Sequence, residues 1–168
     1  MDARDIMPFV TAVKNVFETM LGVQAEAQAP HLREPVDPCH DVSGIIGMSG
    51  DMSGLIVLSF PTETASRLVA LFTGVEVPVE DEDFADAVGE LVNMVAGGAK
   101  AKFEHRQVNI SCPSVVIGAQ HRVFSQKSRP IIEIPAECEC GSFSVMVSIK
   151  DEVAPADAEV APALAEQD

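Results

Sequence analysis

The sequence contains no tryptophan and no tyrosine, and eight phenylalanines are its only aromatic residues. It also lacks any run of about 18 apolar residues, so we expect no membrane-spanning helix. Its first residues, MDARDIMPFVTAV, have neither the basic start nor the cleavage site of a secretory signal peptide. We therefore expect a cytoplasmic protein. The apolar fraction of 47% in 168 residues is enough for one domain with a full hydrophobic core.

Basic residues are scarce, because 11 Lys and Arg stand against 26 Asp and Glu for a formal net charge of −15. Nucleic acids and anionic membrane surfaces are bound by clustered Lys and Arg, so this balance argues against both as partners. The last 18 residues carry six acids and no Lys or Arg, and removing those six charges from −15 leaves −9. The body is therefore acidic in its own right, which favours a partner with a basic face.

Four cysteines are present: Cys39, Cys112, Cys138 and Cys140. In a cytoplasmic chain we expect free thiols rather than disulfides. Cys138 and Cys140 alternate on a predicted strand and would share one face. Together with Cys39 and His40 they leave a metal site as an alternative. We predict no metal site, because no second close ligand pair of zinc spacing accompanies them.

The first part of the chain predicts a helix and a hairpin. Apolar residues recur at steps of three and four over residues 3–21, which predicts a helix that ends at Gly22. Residues 24–40 contain three prolines and are compatible with an extended strand. The sequence pattern does not define where in this segment the strand begins or ends. Two apolar runs, Ile45–Met48 and Leu55–Phe60, flank a turn-rich stretch and predict a β-hairpin.

The second part predicts two helices and then strands. One helix lies between Thr62, a candidate N-cap, and Gly74, a candidate stop. A long helix follows from about Phe84 to Phe103, and the remaining apolar runs predict strands at 110–117, 121–125, 130–136 and 142–150. This order predicts an α+β fold in which a mainly antiparallel sheet packs with long helices.

Domain organisation follows from composition. We interpret residues 1–150 as one domain. Residues 151–168 are rich in Ala, Pro and acid, which predicts a disordered tail, with a short amphipathic helix as the alternative. The glycines of the predicted hairpin are followed by no GK[ST], so neither a P-loop nor a dinucleotide-binding motif is present.

The long helix separates into two faces when its residues are placed at about 100° per residue. One face is an apolar stripe for the core, formed by Phe84, Val88, Leu91, Val95 and Ala99. The opposite face carries Asp86, Glu90, Asn93, Gly97 and Lys100. Asn and Gly inside a helix cost up to about 0.7 and about 1 kcal/mol relative to Ala, so their presence indicates a constraint other than helix formation.

Glu90 and Asn93 are neighbours on the exposed face because they are three residues apart. An amide can hold a water in line with a phosphorus atom, and a carboxylate can pair with a Lys of another protein. Gly97, one turn on, would leave bare backbone where a partner can approach closely. An ordinary solvated face also presents Glu and Asn, so the spacing alone leaves both interpretations open.

The longer context resembles a known family. Glu90-Leu-Val-Asn93-Met-Val-Ala-Gly97 resembles the E-x-x-N phosphatase motif of the CheC/CheX/FliY family, and the flanking AVGEL and GGAKAKF resemble that family's helix. The bare four-residue pattern occurs often by chance, but the longer context, with the small residues Ala96 to Ala99 soon after the Asn, makes the match more specific. The resemblance covers roughly residues 3–150 and includes FVTAVKNVFETMLG, which looks like the first helix of CheX proteins.

CheC-like members carry two such motifs on pseudo-symmetric helices. Aligning VTAVKNVFETMLG with VGELVNMVAGGAK sets Asn15 against Asn93 and Ala12 against Glu90. The first copy therefore lacks the acid, and we expect it to be inactive, with Asn15 as a residue of the polar face. One complete motif is the CheX pattern.

The resemblance implies a protein phosphatase that hydrolyses the aspartyl phosphate of a CheY-like response regulator. Asn93 would orient the attacking water, and Glu90 would pair with the regulator's active-site lysine. Asp86, Gly97 and Lys100 would contact the regulator on the same face. The Mg²⁺ would belong to the regulator, so we expect no cofactor held by this chain.

The resemblance also implies a homodimer, because CheX relatives join their sheets across subunits. Two other interpretations remain. One is a non-catalytic chemotaxis or flagellar adaptor that binds a receiver domain. The other is an unrelated acidic ligand-binding domain.

Overall fold

Helices and strands follow one another in the part of the chain that the computed structural model describes, which is residues 3–104, 106–125 and 129–152. The helices are α1 (Ala3–Val16), continued by a π-helical turn (Phe17–Leu21), α2 (Thr62–Thr73) and α3 (Glu82–Lys100). The strands are β1 (Glu26–Ala27), β2 (His31–Leu32), β3 (Val42–Gly50), β4 (Met52–Phe60), β5 (Val108–Ile110), β6 (Ser114–Ile117), β7 (Ile132–Cys138) and β8 (Gly141–Asp151). No helix in these ranges is long and apolar enough to cross a membrane.

All the strands join one antiparallel sheet in the order β1-β7-β8-β4-β3-β5. β2 also pairs with β7, and β6 also pairs with β3 beside β5. The long central strands β3, β4 and β8 therefore lie between two edges that are built of short strands. The predicted α+β class with a mainly antiparallel sheet is confirmed.

The helices cover one face of this sheet and enclose the main apolar core. The five stripe residues of α3 are all buried in that core. Helix α3 lies close over β3, since a Cβ built on Gly44 would be only 2.9 Å from Cγ1 of Val92. A smaller apolar cluster, formed by Cys39, Val57, Ile131 and Met146, lies apart from the main core. The residues on the free side of α3 are thus held on a rigid, well-packed support.

Local chemistry explains where α3 begins and ends. Asp81 is the N-cap, and its Oδ1 accepts a hydrogen bond from the backbone N–H of Asp83 at 3.1 Å. Glu82 and Asp83 lie in the first turn and Lys100 in the last, where their charges complement the helix dipole. The helix is therefore Glu82–Lys100, shifted slightly from the predicted 84–103.

The hairpin has longer strands and a tighter turn than the apolar runs indicated. Gly50 and Gly54, assigned to the turn from sequence, belong to β3 and β4, and both have positive φ angles. Asp51 alone separates the two strands. Pro61, rather than Thr62, is the N-cap residue of α2, and the Thr62 hydroxyl bonds to Asp41.

The predicted strand at 110–117 is divided into β5 and β6. Pro113 has no N–H to donate, and the pairing with β3 shifts by one residue, since Met48 pairs with Ile110 but Ile45 pairs with Ser114. The predicted strand at 121–125 is wrong. That segment is a loop over the sheet, where His121 Nε2 lies 2.8 Å from Ser43 Oγ.

The segment 24–40 and the C-terminal end of the chain complete the comparison with the predicted elements. The stretch 24–40 provides β1 and β2, which are both added to β7. At the other end, β8 runs to Asp151, and residues 153–168 of the predicted tail lie outside the described residues.

Candidate functional site

The free face of α3 carries the five residues that the sequence assigned to it. Asp86, Glu90 and Lys100 are exposed, and Asn93 and Gly97 are half-buried. The chain therefore turns its apolar stripe to the core and this polar face to the solvent, as the helical period predicts.

Glu90 and Asn93 are in contact with each other. The amide nitrogen Nδ2 of Asn93 donates to Oε2 of Glu90 at 3.5 Å, the outer limit of a hydrogen bond. This contact engages one N–H of the amide and leaves the amide oxygen as an acceptor. The arrangement can present a hydrogen-bond acceptor and a negative charge side by side to another molecule.

Gly97 and Gly98 have different surroundings although they are adjacent. A Cβ built on Gly97 would meet no atom within 4 Å, so open backbone lies one turn beyond Asn93. A Cβ on Gly98 would be 3.2 Å from the Cβ of Ala12, so this glycine lets α1 pack against α3. The first glycine keeps the surface free, and the second brings the two helices together.

The other two residues of the face, Asp86 and Lys100, lie at different distances from the Glu90–Asn93 pair. Asp86 is four residues before Glu90, one turn away, so two like charges lie along one side of the helix. Lys100 is seven residues beyond Asn93, about 10 Å along the axis at 1.5 Å per residue. The structure thus brings Asp86 close to the Glu90–Asn93 pair and leaves Lys100 at the far end of the face.

The first helix has no equivalent pair. Asn15 is exposed, and its backbone carbonyl accepts from the Thr19 hydroxyl at 2.6 Å. Ala12, the counterpart of Glu90, is 2% exposed and packs at Gly98, where a carboxylate would have no room. The described geometry therefore fits one complete motif, on α3.

The histidines near the other face of the sheet fix loops. His121 Nδ1 lies 2.7 Å from the Gly118 carbonyl oxygen, and the His40 backbone N–H donates to Ser59 Oγ at 3.0 Å. Ser43, which His121 contacts, is fully buried, so the contact presents no accessible nucleophile. Burial lowers the pKa of His40, which favours its neutral form.

The cysteines do not assemble a metal centre in the part of the chain that the structure describes. Residues 3–104, 106–125 and 129–152 contain no group of three His, Cys, Asp or Glu side chains that could hold a metal ion. Strand β7 ends at Cys138 and Cys140 lies in the following turn, so the predicted alternation of these two on one strand is wrong. Burial raises the pKa of the Cys39 and Cys140 thiols, and the neighbouring Cys138 raises that of Cys140 further.

Sequence reasoning missed two residues beside the pair. Gly89 is buried in α3, and Pro113 lies against it, with its Cγ 3.3 Å from the position of a Cβ on Gly89. The glycine before Glu90 in AVGEL was a usable signal of a close approach. Pro113 gave none, because its contact joins two distant parts of the sequence.

Comparison with known proteins gives consistent matches. The sequence profile of a family described as "Chemotaxis phosphatase CheX" matches residues 42–137, a range that contains Glu90 and Asn93. A Thermotoga maritima protein named CheY-P phosphatase CheX is 33% identical over 128 residues, which are 74% of this chain and 83% of that protein.

Solved structures share the architecture. The crystal structure of a chemotaxis protein CheX from Desulfovibrio desulfuricans superposes with a TM-score of 0.80 at 31% identity, over 88% of this chain and 99% of that one. The CheX of a CheX–CheY–BeF₃–Mg²⁺ complex from Borrelia burgdorferi gives 0.72 at 23% identity, over 87% and 97%. The second likeness concerns the fold alone.

Proposed function

The chain belongs to the CheX family of chemotaxis phosphatases, and we propose that it hydrolyses the aspartyl phosphate of a CheY-like response regulator. The observation that carries the proposal is the contact between Glu90 and Asn93 on an exposed helix face, beside the open backbone of Gly97. The Thermotoga maritima relative is named for action on CheY-P.

Asn93 is the catalytic residue in this proposal. Its amide oxygen accepts a hydrogen bond from a water and aligns that water with the phosphorus atom. The water oxygen forms a new bond to phosphorus while the bond from phosphorus to the aspartyl oxygen breaks, which yields inorganic phosphate and a free carboxylate. Positioning supplies most of the rate increase, because phosphoryl transfer needs little covalent chemistry from the protein.

Glu90 pairs with the lysine of the regulator's active site and so brings Asn93 to the phosphorylated aspartate. Its contact with Nδ2 of Asn93 also favours the orientation in which the amide oxygen is the acceptor. Gly97 lets the two surfaces approach, and Asp86 and Lys100 contact the regulator around the pair.

The metal in this proposal belongs to the regulator. The Borrelia burgdorferi complex contains CheY, BeF₃ and Mg²⁺ together with CheX. Mg²⁺ neutralises the charge on the phosphoryl oxygens, and this chain contributes the amide and the carboxylate. The proposal places the reaction in the cytoplasm.

Replacement of the amide tests the chemistry. Asn93→Ala should reduce phosphate release from a phosphorylated receiver domain by about 10²-fold or more, because the water loses its orientation. Asn15→Ala is the matched control, since it removes an exposed Asn at the equivalent place on α1. The measurement is phosphate release at several regulator concentrations, together with a circular dichroism melt of each variant.

The control decides the interpretation. Asn15→Ala should release phosphate at the wild-type rate. Equal phosphoryl lifetimes with wild type, with Asn93→Ala and with no protein would contradict the phosphatase proposal. If wild type binds the receiver domain without shortening that lifetime, the chain is an adaptor.

A further inference from the structure

A cleft of about 580 Å³ lies beside the Glu90–Asn93 pair. Helix α3 forms one wall and the segment that leads into β6 forms the other. The cleft is lined by Ala85, Asp86, Gly89, Glu90, Pro113 and Val115. Glu90 is therefore both a member of the pair and one border of the cleft.

The two walls are in direct contact at their base. Cγ of Pro113 would be 3.3 Å from a Cβ on Gly89, and Cγ2 of Val115 would be 3.6 Å from it. The absence of a side chain at Gly89 is what allows this approach. The cleft is thus closed below and open to the solvent.

The second wall is held firmly. The backbone N–H of Ser111 donates to the Gly47 carbonyl at 2.9 Å, and the Gly47 N–H donates to Ser111 Oγ at 3.0 Å. From Ser114 onward, β6 is paired with β3. A partner therefore meets a preformed surface, which lowers the entropy lost on binding.

Charge differs between the walls. Asp86 and Glu90 give the helix wall two carboxylates, whereas the segment 112–118, CPSVVIG, contains no charged residue. A cleft with one acidic and one uncharged wall fits a segment that carries a cation next to small or apolar residues.

We infer that the segment of the response regulator that carries the lysine paired with Glu90 lies in this cleft, against Pro113 and Val115. This inference rests on the proposed function. A residue two positions from that lysine lies within about 7 Å of it, because the chain spans at most about 3.5 Å per residue. Since Glu90 borders the cleft, the residues that flank the lysine pass along it.

Pro113→Arg tests the inference. The new side chain fills the cleft and repels the lysine, so the dissociation constant for a beryllofluoride-activated receiver domain should rise about 10-fold or more. The rate of phosphate release at saturating regulator should change little, because Asn93 is untouched. The probe is the receiver domain that the wild-type protein dephosphorylates fastest.

Ser114→Arg is the matched control. Ser114 pairs with Ile45, which packs in the cluster apart from the main core, whereas Val115 pairs with Gly44, which faces α3. Because successive residues of a strand point to opposite faces, this variant places the same charge one residue away but outside the cleft. It should bind the receiver domain as wild type does.

The outcomes distinguish a failure of the cleft inference from a failure of the proposed phosphatase function. Equal binding by wild type and Pro113→Arg, with wild-type turnover intact, overturns the inference and leaves the proposed function standing. Loss of binding by Ser114→Arg as well also overturns it. If Pro113→Arg fails to fold, Asp86→Lys reverses the charge of the other wall, and unchanged binding by that variant overturns the inference. A wild-type protein that binds no receiver domain refutes both proposals.

Discussion

At the residue scale, α3 presents two residues, Asn93 and Gly97, that lower its own stability. Asn93 and Gly97 are both unfavourable inside a helix. A Cβ built on Gly97 would have no neighbour within 4 Å, and the hydrogen bond that the Asn93 amide makes within the described residues goes to Glu90. Such residues can be recognised from the sequence alone, because their unfavourable helix propensity is a property of the residue type.

The two roles of Glu90 can be separated by substitution. Glu90→Gln keeps an oxygen that can accept from Nδ2 of Asn93 but loses the charge that attracts the regulator's lysine. We expect KM for the regulator to rise about 10-fold while kcat is largely retained. Glu90→Ala removes both contacts, so KM should rise and kcat should fall.

The measurement is phosphate release over a range of regulator concentrations for wild type and both variants. Glu18→Gln serves as the matched control, because Glu18 is an exposed Glu on the π-helical turn after α1 and lies outside the proposed site. Identical kcat values for Glu90→Gln and Glu90→Ala would show that Glu90 has no part in orienting the amide.

The contact between Gly89 and Pro113 could not be predicted from the sequence. Spacing on one helix identifies Glu90 and Asn93 as neighbours. The residue that lies across from them comes from a different element, and only the sheet pairing of β6 with β3 places it there.

At the element scale, the position of α3 is set by its contact with β3. The apolar period predicted which residues of α3 would be buried, and all five are. The strands were predicted less well. The segment 121–125 has an acceptable strand composition but lies as a loop over the sheet, because the edge of β3 is already occupied by β5 and β6.

Gly44→Ala should displace α3. The new Cβ would be 2.9 Å from Cγ1 and 3.1 Å from Cβ of Val92, so helix and strand must separate. We expect a loss of about 1–3 kcal/mol in the free energy of unfolding, the usual cost of overpacking a core. Urea denaturation followed by circular dichroism gives this value.

Gly47→Ala is the control on the same strand. Its Cβ would meet only Ser111 side-chain atoms, at 3.6 and 3.9 Å, which is ordinary contact. Equal free energies of unfolding for the two variants would show that the close approach of α3 to β3 does not require a glycine at position 44.

At the scale of the whole molecule, the sheet has two edges built of short strands. β1 and β2 each pair over two residues with β7, and β5 and β6 share the edge of β3. Unpaired strand edges are sites where another chain can add. The resemblance to CheX proteins implies a homodimer, and we propose that one of these edges pairs with a second copy of the chain.

Light scattering at micromolar concentration tests the dimer. Each chain has a mass of 17.9 kDa, so we expect twice that value. A mass of one chain across the concentration range would rule the dimer out, and it would leave the site on α3 unaffected because that site lies within one chain.

The central claim is that Asn93 acts on the phosphoryl group and Glu90 acts mainly on docking. The most direct measurement is the single-turnover decay of a phosphorylated receiver domain mixed with saturating wild type, Asn93→Ala or Glu90→Gln. We expect that wild type and Glu90→Gln shorten the phosphoryl lifetime to similar values, whereas Asn93→Ala leaves it near that of the receiver domain alone. Rapid decay with saturating Asn93→Ala would contradict the account.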